Sequence, residues 1–211
     1  MIAFLHTSAV HIQGFEKLVR KYNDTVEIKH FVEEDLLKTA LETGALAKDK
    51  FVRIVQNIQA TQRPNLLVCT CSTYGQLCEE LEQIHRIDQP IANHIVANYA
   101  KIGIAYTVIS TKEISQQLIQ ETAISQGKGI QLTLMDCSHC WPYFEGGNMD
   151  KYEKSIAQHL RKISRDVAVI FLAQASMEGA KKYLTAIKPI VVSSPEFGVR
   201  NFLTELSKKG K

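Results

Sequence analysis

The chain has no glycine-rich phosphate loop. Neither G-x-G-x-x-G nor a P-loop lysine motif occurs, so a nucleotide cofactor has no foothold. The G-x-S-x-G turn that presents a serine nucleophile is also missing. No apolar run is long enough to span a bilayer, so no membrane partner is expected. The start, MIAFLHTSAVH, lacks a basic region followed by a long apolar stretch and does not read as a signal peptide. A cytoplasmic location is therefore expected. Low-complexity tracts and long linkers are absent, which excludes domains swinging on a flexible tether. Neither sign of charge dominates: 25 Lys and Arg against 22 Asp and Glu give a net charge of +3. The basic tail Lys208, Lys209 and Lys211 reads as a solvated helix end, and no nucleic-acid partner is expected. Cysteine is sparse and odd in number, five in all, which argues for reduced thiols over a disulfide framework.

What is present is a repeat. Strand-like IAFLHTS (Ile2–Ser8) returns as IGIAYTV (Ile102–Val108), and LLVCTCSTYG (Leu66–Gly75) returns as VIFLAQASMEG (Val169–Gly179). Aligned this way, Thr7 answers Thr107 and Cys71 answers Gln174. With 45% hydrophobic residues the chain has enough apolar material for two similar lobes, with a site expected at their seam.

Short apolar runs alternate with stretches of helical period. Strands are expected at Ile2–Leu5, Val26–Phe31, Asn65–Thr70, Lys101–Tyr106, Ile130–Met135, Val167–Leu172 and Pro189–Val192. Helices are expected within Gly14–Lys21, Glu33–Leu41, Val52–Ala60, Ile114–Ser125, Tyr152–Ser164 and Glu178–Ala186. Such alternation implies α/β architecture with parallel sheets covered on both faces. Ile87–Pro90 reads as the crossing between halves, and the C-terminal stretch as a return to the first lobe. The expected division is 1–92 plus 193–211 for the first lobe and 93–192 for the second.

Ligands of parallel sheets bind beyond the carboxyl ends of the strands. His6-Thr7, Cys71-Ser72-Thr73, Tyr106-Thr107 and Gln174-Ala175-Ser176 fall there, rich in hydroxyl, amide and thiol groups. The turns after Cys71 and Gln174 lead toward helices whose N–H groups favour a carboxylate. The same placement would lower the pKa of Cys71 and make it a base or nucleophile, against the plain reading of a buried strand-end residue. His6 is either structural or an acid–base group. Cys69 reads as core. His11, His30, His85, His94 and His159 read as structural or surface residues. Cys137, His139 and Cys140 have a C-x-x-C spacing, but a structural zinc site needs a second matched pair, so no metal is expected.

The combination of TCSTYG (Thr70–Gly75), IDQPIANHIV (Ile87–Val96), IGIAYTVIST (Ile102–Thr111), FLAQASM (Phe171–Met177) and VVSSPEFGV (Val191–Val199) resembles the aspartate/glutamate racemase superfamily. That group includes glutamate, aspartate and hydantoin racemases, maleate isomerase and arylmalonate decarboxylase. The resemblance covers nearly the whole chain. It implies two flavodoxin-like lobes with parallel sheets related by a pseudo-twofold axis, an active site between the lobes, no cofactor, a small carboxylate substrate and a possible homodimer.

In the racemases of the family two cysteines face the substrate α-carbon from opposite sides. The first falls on Cys71 and the second on Gln174, whose amide does not titrate usefully. The family's acidic residue after the first strand falls near His6. Its carboxylate-binding groups fall on Thr7, Ser72, Thr73, Thr107, Ser110 and Thr111, with Ala175 and Ser176 in the turn after Gln174. The resemblance thus implies a racemase- or isomerase-like enzyme acting next to a carboxylate through Cys71, assisted by His6 or another group. The alternatives are a single-thiol decarboxylase or lyase, and a small-carboxylate-binding protein without catalysis.

Overall fold

The computed structural model describes residues 1–164 and 166–209. Arg165, Gly210 and Lys211 (the end of the basic tail) lie outside the described residues, as does the side chain of Lys209. The chain divides into two compact units, Met1–Asp88 with the segment from Pro195 onward, and Gln89–Ser194.

The first unit runs β1 (Ile2–His6), α1 (Ile12–Tyr22), β2 (Ile28–Val32), α2 (Glu34–Thr43), α3 (Lys48–Gln62), β3 (Leu66–Cys69), α4 (Gly75–Glu79) and β4 (His85–Arg86). The second runs α5 (Gln89–Asn98), β5 (Lys101–Tyr106), α6 (Ile109–Ser125), β6 (Gln131–Asp136), α7 (Trp141–Glu145), α8 (Met149–Ile163), β7 (Val169–Leu172) and β8 (Ile190–Ser193). Helix α9 (Ser194–Lys209) packs with the first unit.

Each unit carries one four-stranded, all-parallel sheet, ordered β2-β1-β3-β4 and β6-β5-β7-β8. The sequence repeat is therefore a repeat of topology: in each unit the first strand pairs with the next two. The register sets Leu5 beside Cys69 in the first sheet and Ala105 beside Leu172 in the second. Thr7 and Cys71 thus leave neighbouring strand ends, as do Thr107 and Gln174.

Local sequence explains most elements. The central strands β1, β3 and β7 are buried along their whole length, which is why they read as unbroken apolar runs. Helix α8 buries Tyr152, Ile156, Ala157 and Leu160, a stripe of helical period, against the second core. Its start is capped by Asn148, whose side chain accepts from Lys151 N at 3.1 Å. Gly198 explains how α9 returns to the first unit: a Cβ there would lie 2.5 Å from the Ile87 backbone oxygen, so only glycine permits the approach.

All seven expected strands form, with ends shifted by a residue or two. Strand β4 escaped notice because two residues carry no period. Helix α5 begins at Gln89, where a crossing segment was expected. Helix α6 begins at Ile109, not near Ile114, because its first turn (Ser110, Thr111, Lys112) has no apolar spacing to announce it. The helix expected at Glu178–Ala186 is instead a 3-10 segment, Ala175–Tyr183. Within it Gly179 lies against the Glu153 carboxylate of α8, a position where a Cβ would collide.

Candidate functional site

In the first unit, Cys71 follows β3 and opens a 3-10 turn, Ser72–Tyr74, that runs into α4. The turn is held at Tyr74. Its ring stacks on Phe51 at 5.0 Å, and its hydroxyl donates to Leu36 O at 2.9 Å. Ser72, Thr73 and Thr7 are buried at the same strand ends, whereas Cys71 keeps some exposure. Cys69, Cys78, Cys137 and Cys140 are all buried, and Cys69 lies in the core as its sequence position implied.

The depressed thiol pKa expected for Cys71 is overturned. Its thiol is pushed up to about 11, chiefly by burial and secondarily by the neighbouring Cys69 sulfur. Hydrogen bonds from the Thr7 side chain and from the Thr73 backbone and side chain pull the other way and do not prevail. The physical reason lies in the length of the helix. A five-residue α4 behind a three-residue 3-10 turn supplies little macrodipole, while burial removes the water that would stabilise a thiolate. At neutral pH Cys71 is a thiol. A slow thiol alkylator should modify Cys71 first among the five cysteines, and its rate should climb about tenfold per pH unit until pH approaches 11. Peptide mapping after timed alkylation reads this; a plateau near pH 8 would contradict it.

Arg86 braces this turn from β4. Its Nε donates to Asp88 Oδ1 at 2.7 Å, its Nη2 to Asp88 Oδ2 at 3.2 Å, and its Nη1 to Glu79 at the end of α4. Burial works against the guanidinium charge, but Asp88 and Glu79 outweigh it and hold Arg86 firmly protonated. Gly75, the first residue of α4, lies so close to the guanidinium that any Cβ would overlap it.

His6 does not present itself to solvent. It is fully buried, and both ring nitrogens are engaged, Nδ1 with Thr70 Oγ1 at 2.8 Å and Nε2 with His30 Nδ1 at 2.8 Å. Its pKa is lowered to about 3, by burial first and then by His30 and His11. Of the two readings of His6, structural or acid–base, its burial and engaged ring nitrogens fit a structural, neutral imidazole.

In the second unit, Gln174 ends the strand side of β7 and is nearly buried. Its Oε1 accepts from Thr107 N at 2.6 Å, Thr107 Oγ1 at 3.0 Å and Val108 N at 3.2 Å. Two backbone donors settle the amide orientation: the oxygen faces the β5–α6 turn. Gln174 therefore occupies the β5–α6 turn, where the resemblance implied Thr107 as a carboxylate-binding group. Thr107 Oγ1 also meets Tyr152 Oη at 2.9 Å, which meets Ser176 Oγ at 3.0 Å. Burial pushes the Tyr152 phenol up to about 12, against the pull of the Ser176 and Thr107 bonds. Ala175 contributes backbone alone, Thr111 is buried in the first turn of α6, and Ser110 is half-buried beside it.

Replacing Gln174 with alanine would leave the Thr107 and Val108 N–H groups without their acceptor. The expected cost is about 1–3 kcal/mol, measured as a lowered urea midpoint, with Gln174→Glu retaining most of the stability. An unchanged midpoint in Gln174→Ala would show that water replaces the amide at no cost.

Sequence reasoning missed Tyr152, His30, Glu16, Arg86 and Asp88. Tyr152 carried one signal, a phenol at the first position of the apolar stripe of α8, where a buried hydroxyl demands a partner. Cys137 and Cys140 are fully buried in the second core. Among the described residues, no group of three His, Cys, Asp or Glu side chains is placed to hold a metal ion.

No protein-family model and no curated protein matches the chain. Solved structures do. Glutamate racemase isoform RacE1 from Bacillus anthracis superposes with a TM-score of 0.76 at 14% identity, covering 100% of this chain and 82% of that one. The Picrophilus torridus aspartate racemase gives 0.76 at 11% identity, covering 98% and 94%. Allantoin racemase from Klebsiella pneumoniae gives 0.64 at 16% identity, covering 99% and 88%. Two parallel sheets of identical strand order and superposition over nearly the whole chain show that this chain shares its fold with these solved glutamate, aspartate and allantoin racemases.

Proposed function

We propose that this chain is a cofactor-independent enzyme of the racemase or isomerase type, moving a proton at the carbon next to the carboxylate of an amino acid or related small acid. Cys71 carries that proton. The observation that supports the reading is one cysteine at the end of β3 that, alone of the five, is not a buried residue, its thiol hydrogen-bonded by Thr7 and Thr73. Hydroxyls of Thr7, Ser72 and Thr73 line the same strand ends and suit a carboxylate or an enolate-like oxygen. A thiol near pKa 11 is neutral at rest and can protonate a carbanion-like centre; its rarer thiolate is a stronger base than an ordinary cysteine.

The second position of the family's thiol pair is held by Gln174, which neither titrates nor has a free amide oxygen. That favours a variant of the same chemistry in which the proton arrives from one side only, as in a decarboxylase or lyase. Carboxylate binding without turnover is the remaining reading. The test is a panel of amino acids, dicarboxylic acids and malonates in deuterated buffer, followed by NMR for α-hydrogen exchange and for carbon dioxide release. Exchange with racemisation supports the first reading, and release with one-sided deuteration the second. Thermal stabilisation by a panel member without either reaction leaves binding alone.

A further inference from the structure

The first unit contains a string of titratable groups that the thiol chemistry does not use. Arg20 Nε donates to Glu16 Oε1 at 3.2 Å. Glu16 Oε2 meets His30 Nε2 at 3.1 Å, His30 Nδ1 meets His6 Nε2 at 2.8 Å, and His6 Nδ1 meets Thr70 Oγ1 at 2.8 Å. Thr70 Oγ1 has a second partner, Leu5 O at 3.3 Å. Glu16 is half-exposed on α1, and Thr70 directly precedes Cys71.

Donor and acceptor roles along this string are not independent. The Glu16 carboxylate, held by Arg20, only accepts, so His30 Nε2 must carry a hydrogen. If His30 is neutral, its Nδ1 is a lone pair and accepts from His6 Nε2–H. His6 Nδ1 is then a lone pair and accepts the Thr70 hydroxyl. If His30 is a cation, Nδ1–H donates to His6 Nε2, His6 becomes the Nδ1–H tautomer, and Thr70 must accept from it. The Thr70 hydroxyl then needs another acceptor, and Leu5 O is in place. The two arrangements use the same atoms and differ by one proton.

We propose that Glu16, His30, His6 and Thr70 form a proton-coupled tautomer switch: one added proton moves the His6 hydrogen from Nε2 to Nδ1 and turns the Thr70 hydroxyl from His6 to the Leu5 carbonyl. The proton balance is complete. Thr70 passes its hydroxyl proton to His6 Nδ1, His6 passes its Nε2 proton to His30 Nδ1, and the incoming proton restores the Thr70 hydroxyl. The charge emerges on His30 beside the Glu16 carboxylate and not on His6, whose burial and two histidine neighbours oppose a cation there. The groups facing this pair are Thr70 of β3, Glu16 and Phe15 of α1, Phe4 of β1 and His11, whose ring lies 6.3 Å from that of His6. His11 has its own pKa lowered to about 4 by burial. His30, His6 and Glu16 are positioning residues. The use of the switch to accept or return a proton beside Cys71 rests on the function proposed above; the switch itself does not.

Long-range proton–nitrogen NMR of the imidazole rings tests it on the full-length protein without a substrate. Above about pH 8, His6 is expected as the Nε2–H tautomer. On acidification, His30 should become doubly protonated while His6 stays neutral and converts to Nδ1–H, both changes sharing one midpoint. Glu16→Gln keeps an acceptor but removes the charge, and the shared midpoint should fall by about one pH unit. The proposal is overturned if His6 keeps one tautomer through the His30 titration, if His6 itself takes the charge, or if Glu16→Gln leaves the midpoint in place. Absence of both α-hydrogen exchange and carbon dioxide release in the wild type would sink the Cys71 chemistry and leave this result standing.

Discussion

Cys71→Ala is expected to lower α-hydrogen exchange or decarboxylation by about 10²–10⁴-fold, the range over which a positioned acid or base contributes. Cys71→Ser should fall as far, because a serine hydroxyl titrates far above the thiol and is a poor base at any usable pH. Neither change should unfold the protein. The sulfur is at a partly exposed strand end, and the turn is fixed elsewhere by Tyr74 and Arg86. Melting curves serve as the control. The wild-type rate discriminates the role of the thiol. If the thiolate removes the proton, the rate should rise about tenfold per pH unit up to about pH 11. If the thiol donates, the rate should be flat with pH and fall only as the thiol ionises. A Cys71→Ala protein as active as wild type would end the assignment.

Asp88→Ala should be the most destabilising single change near the turn, at about 3–5 kcal/mol. Asp88 is fully buried and takes two bonds from Arg86, itself 5% exposed. Truncation strands a buried guanidinium with Glu79 as its remaining carboxylate partner. The loss is a large share of the roughly 5–15 kcal/mol by which domains are stable. Urea unfolding measures it. The double change Arg86→Met with Asp88→Leu should cost less than either single truncation, because it removes both charges together. The single variant should also speed Cys71 alkylation, since Arg86 packs against Gly75 at the start of α4. A cost below about 1 kcal/mol would mean water reaches the pair and screens it.

Much of the architecture could be read from residue order. Val169–Leu172 and Ile2–His6 are unbroken apolar runs because parallel strands are covered on both faces, and the alternation with Ile12–Tyr22 and Met149–Ile163 follows from two different hydrophobic periods. The repeat pairs Thr7 with Thr107 and Cys71 with Gln174 in the sequence itself, and the shared strand order has the same origin. Periodicity failed where it had nothing to count: in the two residues of β4, in the polar first turn of α6, and in the 3-10 segment after Gln174.

Order and spacing identified which residues stand at the strand ends, since that depends on local pattern alone. What those residues do to each other was legible only in three dimensions. Burial, a property of everything packed around a group, turned the expected thiolate of Cys71 into a thiol. Contacts across 64 and 24 positions of chain made His6 a partner of Thr70 and of a histidine that looked incidental. Proximity across 67 positions committed the Gln174 oxygen to Thr107. Desolvation and hydrogen bonding act through space, and a one-dimensional pattern does not carry distances between remote segments.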